Sequence, residues 1–284
     1  MRAMSKNQIT EGVIWKQLLF FFFPILLGTL FQQLYNTADT VVVGRFVGTK
    51  ALAAVGGSTG QIVNLVVNFF VGLASGATVI IARYYGARDR IKLNNALHTA
   101  IALSIVGGIV TAVAGILLTP FLLQMMNTPA DVIEGSTTYL RIYFAGIIFV
   151  FVYNIGSGIL RAVGDSKRPL YFLIVCCFLN IFLDILFVVY LKLGVKGAAF
   201  ATVISQAVSA LLVILSLTKS VDIYRLRPNK IRFYKSLLIA IVTIGLPAGL
   251  QSVMYGISNI IIQTSLNSLG TETVAAHTVF AKID

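Results

Sequence analysis

Apolar residues along the chain come in long blocks separated by short polar stretches. After a polar tail over residues 1–12, the blocks run from about Val13 to Val47, Ala51 to Ala82, Leu93 to Leu123, Tyr139 to Leu160, Pro169 to Leu191, Ala198 to Leu217 and Leu237 to Leu266; an eighth begins at Val274. A helix rises about 1.5 Å per residue, so about 20 residues cross the hydrocarbon of a bilayer. The pattern predicts seven spanning helices and the opening of an eighth, an all-α polytopic membrane protein. Pro24 interrupts the backbone ladder of the first block, which predicts a tilted or kinked helix with a hinge at that residue. The stretch 127–135 around Pro129 reads as a turn.

Two stretches repeat. The first block carries Pro24 and ends in GTKALAA (Gly48 to Ala54); the seventh carries Pro247 and ends in GTETVAA (Gly270 to Ala276). Six helices lie between the two starts, so both copies enter the membrane from the same side, as in parallel repeats of six-helix halves. The expected organisation is a tail (1–12), a six-helix N-lobe (13–217), a basic inter-lobe loop (218–236) and the start of a C-lobe (237–284). A second half of equal size would end roughly at residue 440–450, so the chain is expected to be one lobe and the opening of another.

Charge sets the orientation. Of 284 residues, 57% are hydrophobic and only 11% charged, with a mean hydropathy of +0.90, far from the composition of a soluble domain. The formal net charge is +12. Sixteen Lys and Arg fall in the tail and alternate loops and five on the opposite side, leaving Lys282 aside. This bias predicts a cytoplasmic amino terminus in a multi-pass protein of the plasma (inner) membrane. The basic residues form no face with interleaved aromatics, so no nucleic-acid partner is expected. Cys176 and Cys177 are adjacent and offer no ordinary disulfide. The block from Val13 is too long for a signal-peptide core. No phosphate loop or nucleophile elbow is present, and His98 and His277 lack ligand-type neighbours. An enzyme, a cofactor and a structural metal are therefore not expected.

Only two acidic residues sit deep in complete blocks, Asp39 and Asp184. On the first helix Gln32, Tyr35, Asn36 and Asp39 share one face by i, i+3, i+4, i+7 spacing; Asn180 and Asp184 share a face of the fifth. Thr202, Gln206 and Ser209 make a polar stripe on the sixth, and Gln61, Asn64 and Asn68 another on the second. Stripes of Asn, Gln, Ser and Thr can be packing glue between helices, at about 0.6 kcal/mol per hydrogen bond. Two aspartates without Lys or Arg at any span centre ask for more: a proton or a bound sodium must neutralise them. Gly72 with Gly76, and Gly107, Gly108 and Gly115, suit close helix packing.

These residues bear a family likeness. QQLYNTADTVVVGRFVGTKALAAVG behind Pro24, IARYYGARD, ILRAVGDSKRP, NIFLD (Asn180 to Asp184), GVKGAAFAT (Gly194 to Thr202), GLPAGLQ and GTETVAAH together resemble the multidrug and toxic compound extrusion (MATE) transporters. The likeness is to the bacterial and archaeal branch with the DNA-damage-inducible protein F-like members. The resemblance implies a transporter of two six-helix lobes that exports organic cations and amphipathic compounds against protons or sodium, with the lipid bilayer and small molecules as its partners. It places the coupling site on Asp39, Asn180, Asp184 and Thr202, and the substrate cavity near Gln32, Tyr35, Asn36, Asn68 and Asn154. No obligate protein partner is implied unless a separate C-lobe completes the chain. Another branch carries a cation-binding Glu eight residues after the seventh-helix proline, where this chain has Tyr255; the repeat aligns Asp39 with Ile261 or Ile262. Coupling is thus expected in the first lobe. Alternatives are a flippase of lipid-linked precursors with the same fold, for which the cavity holds few basic residues, an inactive fragment, and an intramembrane aspartyl protease, whose Tyr-Asp and Gly-x-Gly-Asp contexts are absent here.

Overall fold

A computed structural model describes residues 14–220 and 223–283; the tail 1–12 lies outside the described residues. Helix α1 spans Ile14–Phe46 and continues without interruption through Pro24. Gly48, at φ +108°, turns the chain into the short helix α2 (Thr49–Gly56), and Gly57 separates it from α3 (Ser58–Gly86). The second apolar block is therefore two helices in one membrane-length unit. Asp89 caps α4 (Arg90–Met125), its carboxylate accepting from the Lys92 amide at 3.0 Å.

The fourth block departs from expectation. It begins at Ile133 and consists of α5 (Ile133–Ala145) and α6 (Ile147–Ala162), bent by 50° at Gly146. The turn around Pro129 is shorter than the sequence predicted because Ser136 is fully buried and donates to the Ala54 carbonyl at 3.1 Å. Helix α7 (Lys167–Asp184) runs into a π-helical stretch, Ile185–Tyr190, and α8 covers Val195–Lys219. The inter-lobe loop leads to α9 (Lys235–Asn267) and α10 (Thr271–Ile283). Among the described residues six units are long and apolar enough to cross a bilayer singly, and the bent α5–α6 pair makes a seventh.

The core lies between α3, α4, α6 and α8. Phe70 of α3 stacks on Phe151 of α6 with ring centroids 3.6 Å apart. Gly108 and Gly115 let α4 approach α5–α6: a Cβ on Gly108 would lie 2.8 Å from the Ile148 Cα, and one on Gly115 would enter the Phe144 ring.

Helices α3 and α9 run antiparallel with their backbones nearly touching. A Cβ on Gly72 would lie 2.6 Å from the amide nitrogen and Cα of Gly249; one on Gly76 would lie 2.6 Å from the Gly245 nitrogen and collide with the Ile241 carbonyl. Such small-residue seams replace the hydrophobic drive that lipid cannot supply with dense van der Waals contact. Polar bonds close both ends. At one, the Asn267 amide donates to Ser58 Oγ (2.8 Å) and the Met126 carbonyl (2.6 Å). At the other, the inter-lobe loop is tied to α4. His98, 1% exposed, donates from Nδ1 to Asn94 O (2.7 Å) and accepts the Arg227 amide at Nε2 (3.1 Å), a structural role.

Beside Asn267, Thr271 donates to Asp131 at 2.6 Å and Lys50 lies 3.4 Å from the same carboxylate. The Thr271 bond, then that of Lys50 and its charge, hold the Asp131 carboxyl below its usual range. A depressed folded-state value means that this clasp is complete at neutral pH and is lost as pH falls through it.

Replacing Gly76 by Val should lower the melting temperature of the detergent-solubilised chain, at a cost of about 1–3 kcal/mol for overpacking. Gly60→Ala on the same helix, where the new methyl meets only Val55 O at 3.9 Å, should leave it unchanged or slightly raised.

Candidate functional site: two buried carboxylates

Each candidate residue is placed by helical register. Helix α1 packs on α7, and Asp39 lies inward, 8% exposed. On α7 Asn180 and Asp184, one turn apart, are both fully buried; Asp184 is the last α-helical residue before the π-helical stretch. Such wide turns recur at functional positions because they redirect side chains within an otherwise regular helix. Thr202 of α8, 2% exposed, donates to Ala198 O at 3.0 Å.

Tyr139 of α5 joins these elements. Its hydroxyl lies near Thr202 and within electrostatic range of both Asp39 and Asp184. The two aspartates in turn sense each other, and Tyr35 lies close to Asp39, Tyr139 and Tyr143. Asp39, Asp184 and Thr202 therefore share one neighbourhood walled by α1, α5, α7 and α8, with Asn180 a turn below Asp184.

Hydrogen bonding within this neighbourhood is incomplete. Neither carboxylate oxygen of Asp184 and neither amide atom of Asn180 has a partner among the described residues. A buried amide or carboxyl left so costs about 1–3 kcal/mol or more, a cost normally avoided in a folded chain. Four oxygen-bearing side chains, two of them acidic, offer donors suited to a proton or a hard cation such as sodium.

The cavity candidates are less concentrated. Tyr35 and Asn36 are half-buried; Gln32 and Asn68 are exposed. Asn36 reaches Gln33 Oε1 only at 3.5 Å, and Asn154 of α6 spends its amide on Val150 O at 2.8 Å. The packing-glue reading fits Ser209, which reaches across to Phe172 O at 3.5 Å, whereas Thr40 and Ser75 bond within their own helices. Sequence reasoning missed Tyr139 and its neighbour Tyr143, whose rings stack at 6.2 Å. Their i, i+4 spacing in an apolar block was the available signal.

Fold and site together define an all-α, multi-pass membrane protein with a buried two-carboxylate site in its first six-span unit. Residues 24–186 match the MatE family model, and the chain belongs to that family. It is 32% identical over 281 residues to the "Probable multidrug resistance protein YpnP" of Bacillus subtilis (strain 168), covering 99% of this chain and 62% of that protein. It is 31% identical over 277 residues to the "Probable multidrug resistance protein YoeA" of the same organism, covering 95% and 60%. Among solved structures, it superposes with a TM-score of 0.83 at 29% identity on the outward-facing conformation of a multidrug resistance MATE family transporter, over 91% of this chain and 57% of that one. The chain thus spans about 60% of the length of the curated relatives it matches.

Exchanging Asn180 for its γ-branched apolar counterpart should expose the cost of this site. Asn180→Leu should melt no lower than the parent and gain roughly 1 kcal/mol, since it removes two unpaired buried polar atoms. A fall of several degrees in a thermal-unfolding assay would mean that Asn180 is a structural hydrogen-bonding hub.

Proposed function

We propose that this chain carries the ion-coupling half of an exporter of cationic or otherwise amphipathic small molecules, which exchanges its cargo for protons or sodium. The observation that carries the reading is the pair Asp39–Asp184, buried within electrostatic range of each other among the spanning helices. Like charges so placed cannot both stay ionised without company. A proton or sodium entering from outside satisfies the pair; its release to the cytoplasm leaves the site short of positive charge. The relatives' names as multidrug resistance proteins support export as the direction of transport.

The cavity candidates Gln32, Tyr35, Asn36, Asn68 and Asn154 include no Lys or Arg, which favours a cationic cargo over a lipid pyrophosphate. Alternating access needs one wall that moves. Helix α1 supplies it: Pro24 deletes a ladder bond, and a Cβ added on Gly28 would meet only side chains of α7, Leu173 at 3.6 Å and Leu170 at 4.0 Å. Neutralising Asp39 or Asp184 from outside removes the repulsion between α1 and α7, bends the Pro24 helix inward, closes the lobe cavity and expels the cargo. In this reading the protein sits in the plasma (inner) membrane with its amino terminus in the cytoplasm, and a second lobe completes the cargo path.

In proteoliposomes holding the chain joined to such a second lobe, Asp39→Asn and Asp184→Asn should each reduce proton-driven efflux of a cationic dye at least tenfold. Undiminished efflux in either variant overturns the mechanism, and replacing the pH gradient with a sodium gradient identifies the coupling ion.

A further inference from the structure

We propose that a groove between the amino-terminal end of α7 and the carboxyl-terminal end of α8 binds the headgroup of an anionic phospholipid. The site lies on the side of the inter-lobe loop, outside the carboxylate site, and does not depend on the export reading. Its volume is about 630 Å³. Phe172, Leu212 and Leu215 line it on the membrane side, and Arg168, Ser216 and Lys219 line its polar end. Apolar walls that end in cations match one class of molecule found at that depth, a lipid with a charged phosphate.

The Arg168 side chain is held across the helix gap. Its Nε pairs with Asp165 at 3.0 Å and its Nη1 donates to Ser216 Oγ at 3.4 Å, while about half of the side chain remains exposed. Asp165 offsets one charge, but Lys167, Arg168 and Lys219 together leave this end positive. A guanidinium has five N–H donors, so pairing through Nε leaves others for a phosphate. Below the groove, α7 and α8 present Tyr171, Val175, Phe178 and Leu211 to the surroundings at 58%, 46%, 63% and 56% exposure, a continuous track for acyl chains. Basic pockets between spanning helices are the recognised form of headgroup sites, at about one kcal/mol, or roughly fivefold in affinity, per Lys or Arg.

A soluble phosphate would meet the same cations but gain nothing from the track. Native mass spectrometry of the full 284-residue chain in detergent, titrated with phosphatidylglycerol, phosphatidylcholine of the same acyl chains and glycerol 3-phosphate, separates these sources. The expected result is discrete phosphatidylglycerol adducts, weakened roughly 25-fold in Arg168→Gln/Lys219→Gln by loss of two cations. They should be retained in the equal-charge control Arg90→Gln/Lys230→Gln. Leu212→Trp, which fills the groove and leaves every charge in place, should also abolish them. The proposal is overturned by unaltered binding in either groove variant, by equal loss in the control, by equal binding of phosphatidylcholine, or by glycerol 3-phosphate binding as tightly as the lipid.

Discussion

The hydrocarbon around a bilayer-spanning bundle offers no hydrogen-bond partners, so a polar side chain packed there must find its partner on the protein or accept the cost of having none. Several hydroxyls of this chain meet the requirement locally. Thr40, Thr78, Thr119, Thr202 and Ser205 each donate to a carbonyl four residues back on their own helix, at distances between 2.6 and 3.2 Å. Thr59 and Ser157 each leave one buried hydroxyl oxygen without a partner among the described residues, whereas Asn180 and Asp184, one turn apart on α7, leave four polar atoms so. That turn lies within electrostatic range of the other deep aspartate.

The same constraint explains how much the sequence disclosed. The burial of Asp39, Asn180 and Asp184 was legible because a polar group in an apolar block is costly and helical periodicity then orients it, whereas Thr202 was one of a stripe of three and stood out only through the family resemblance. The seven spans were legible for the same reason. Register, breaks and partners were not, because hydropathy records how apolar a residue is and not what it touches. Gly146 lies within an unbroken apolar run, yet the helix bends there by 50° where Val203 of α8 crowds the glycine. The π-helical stretch after Asp184 has only ordinary apolar residues, Ile185 to Tyr190, to announce it. Tyr139 was hidden differently: an amphipathic ring at a block edge reads as an interfacial anchor, whereas the packing of α5 on α8 buries it near Thr202.

Small residues were read as close packing, but their partner helix had to come from the structure. Gly72 and Gly76 could have served any neighbour; they serve α9, where Gly245 and Gly249 flank Pro247. The repeat therefore sets its two prolines in unlike company. Pro247 lies in a helix held backbone to backbone by α3, with Gly245 and Gly249 against the carbonyls of Leu73 and Phe69. Pro24 lies in a helix whose glycine contact, Gly28 to Leu173, is side chain at ordinary distance.

That asymmetry bears on where chemistry can couple to motion. A proton or cation can shift a helix only if the energy released by neutralising charge exceeds the contact energy that the shift gives up. Along α3–α9 a displacement separates touching backbones and, at the Asn267 end, breaks the bonds of Asn267 to Ser58 and Met126. Along α1–α7 it exchanges one set of apolar side-chain contacts for another, at far lower cost. Asp39 of α1 and Asp184 of α7 lie within electrostatic range of each other on the helices of the looser seam, and the repeat aligns Asp39 with Ile261 or Ile262 of α9. The distribution of acidic residues thus follows the packing: charge is kept where the helices can respond to it.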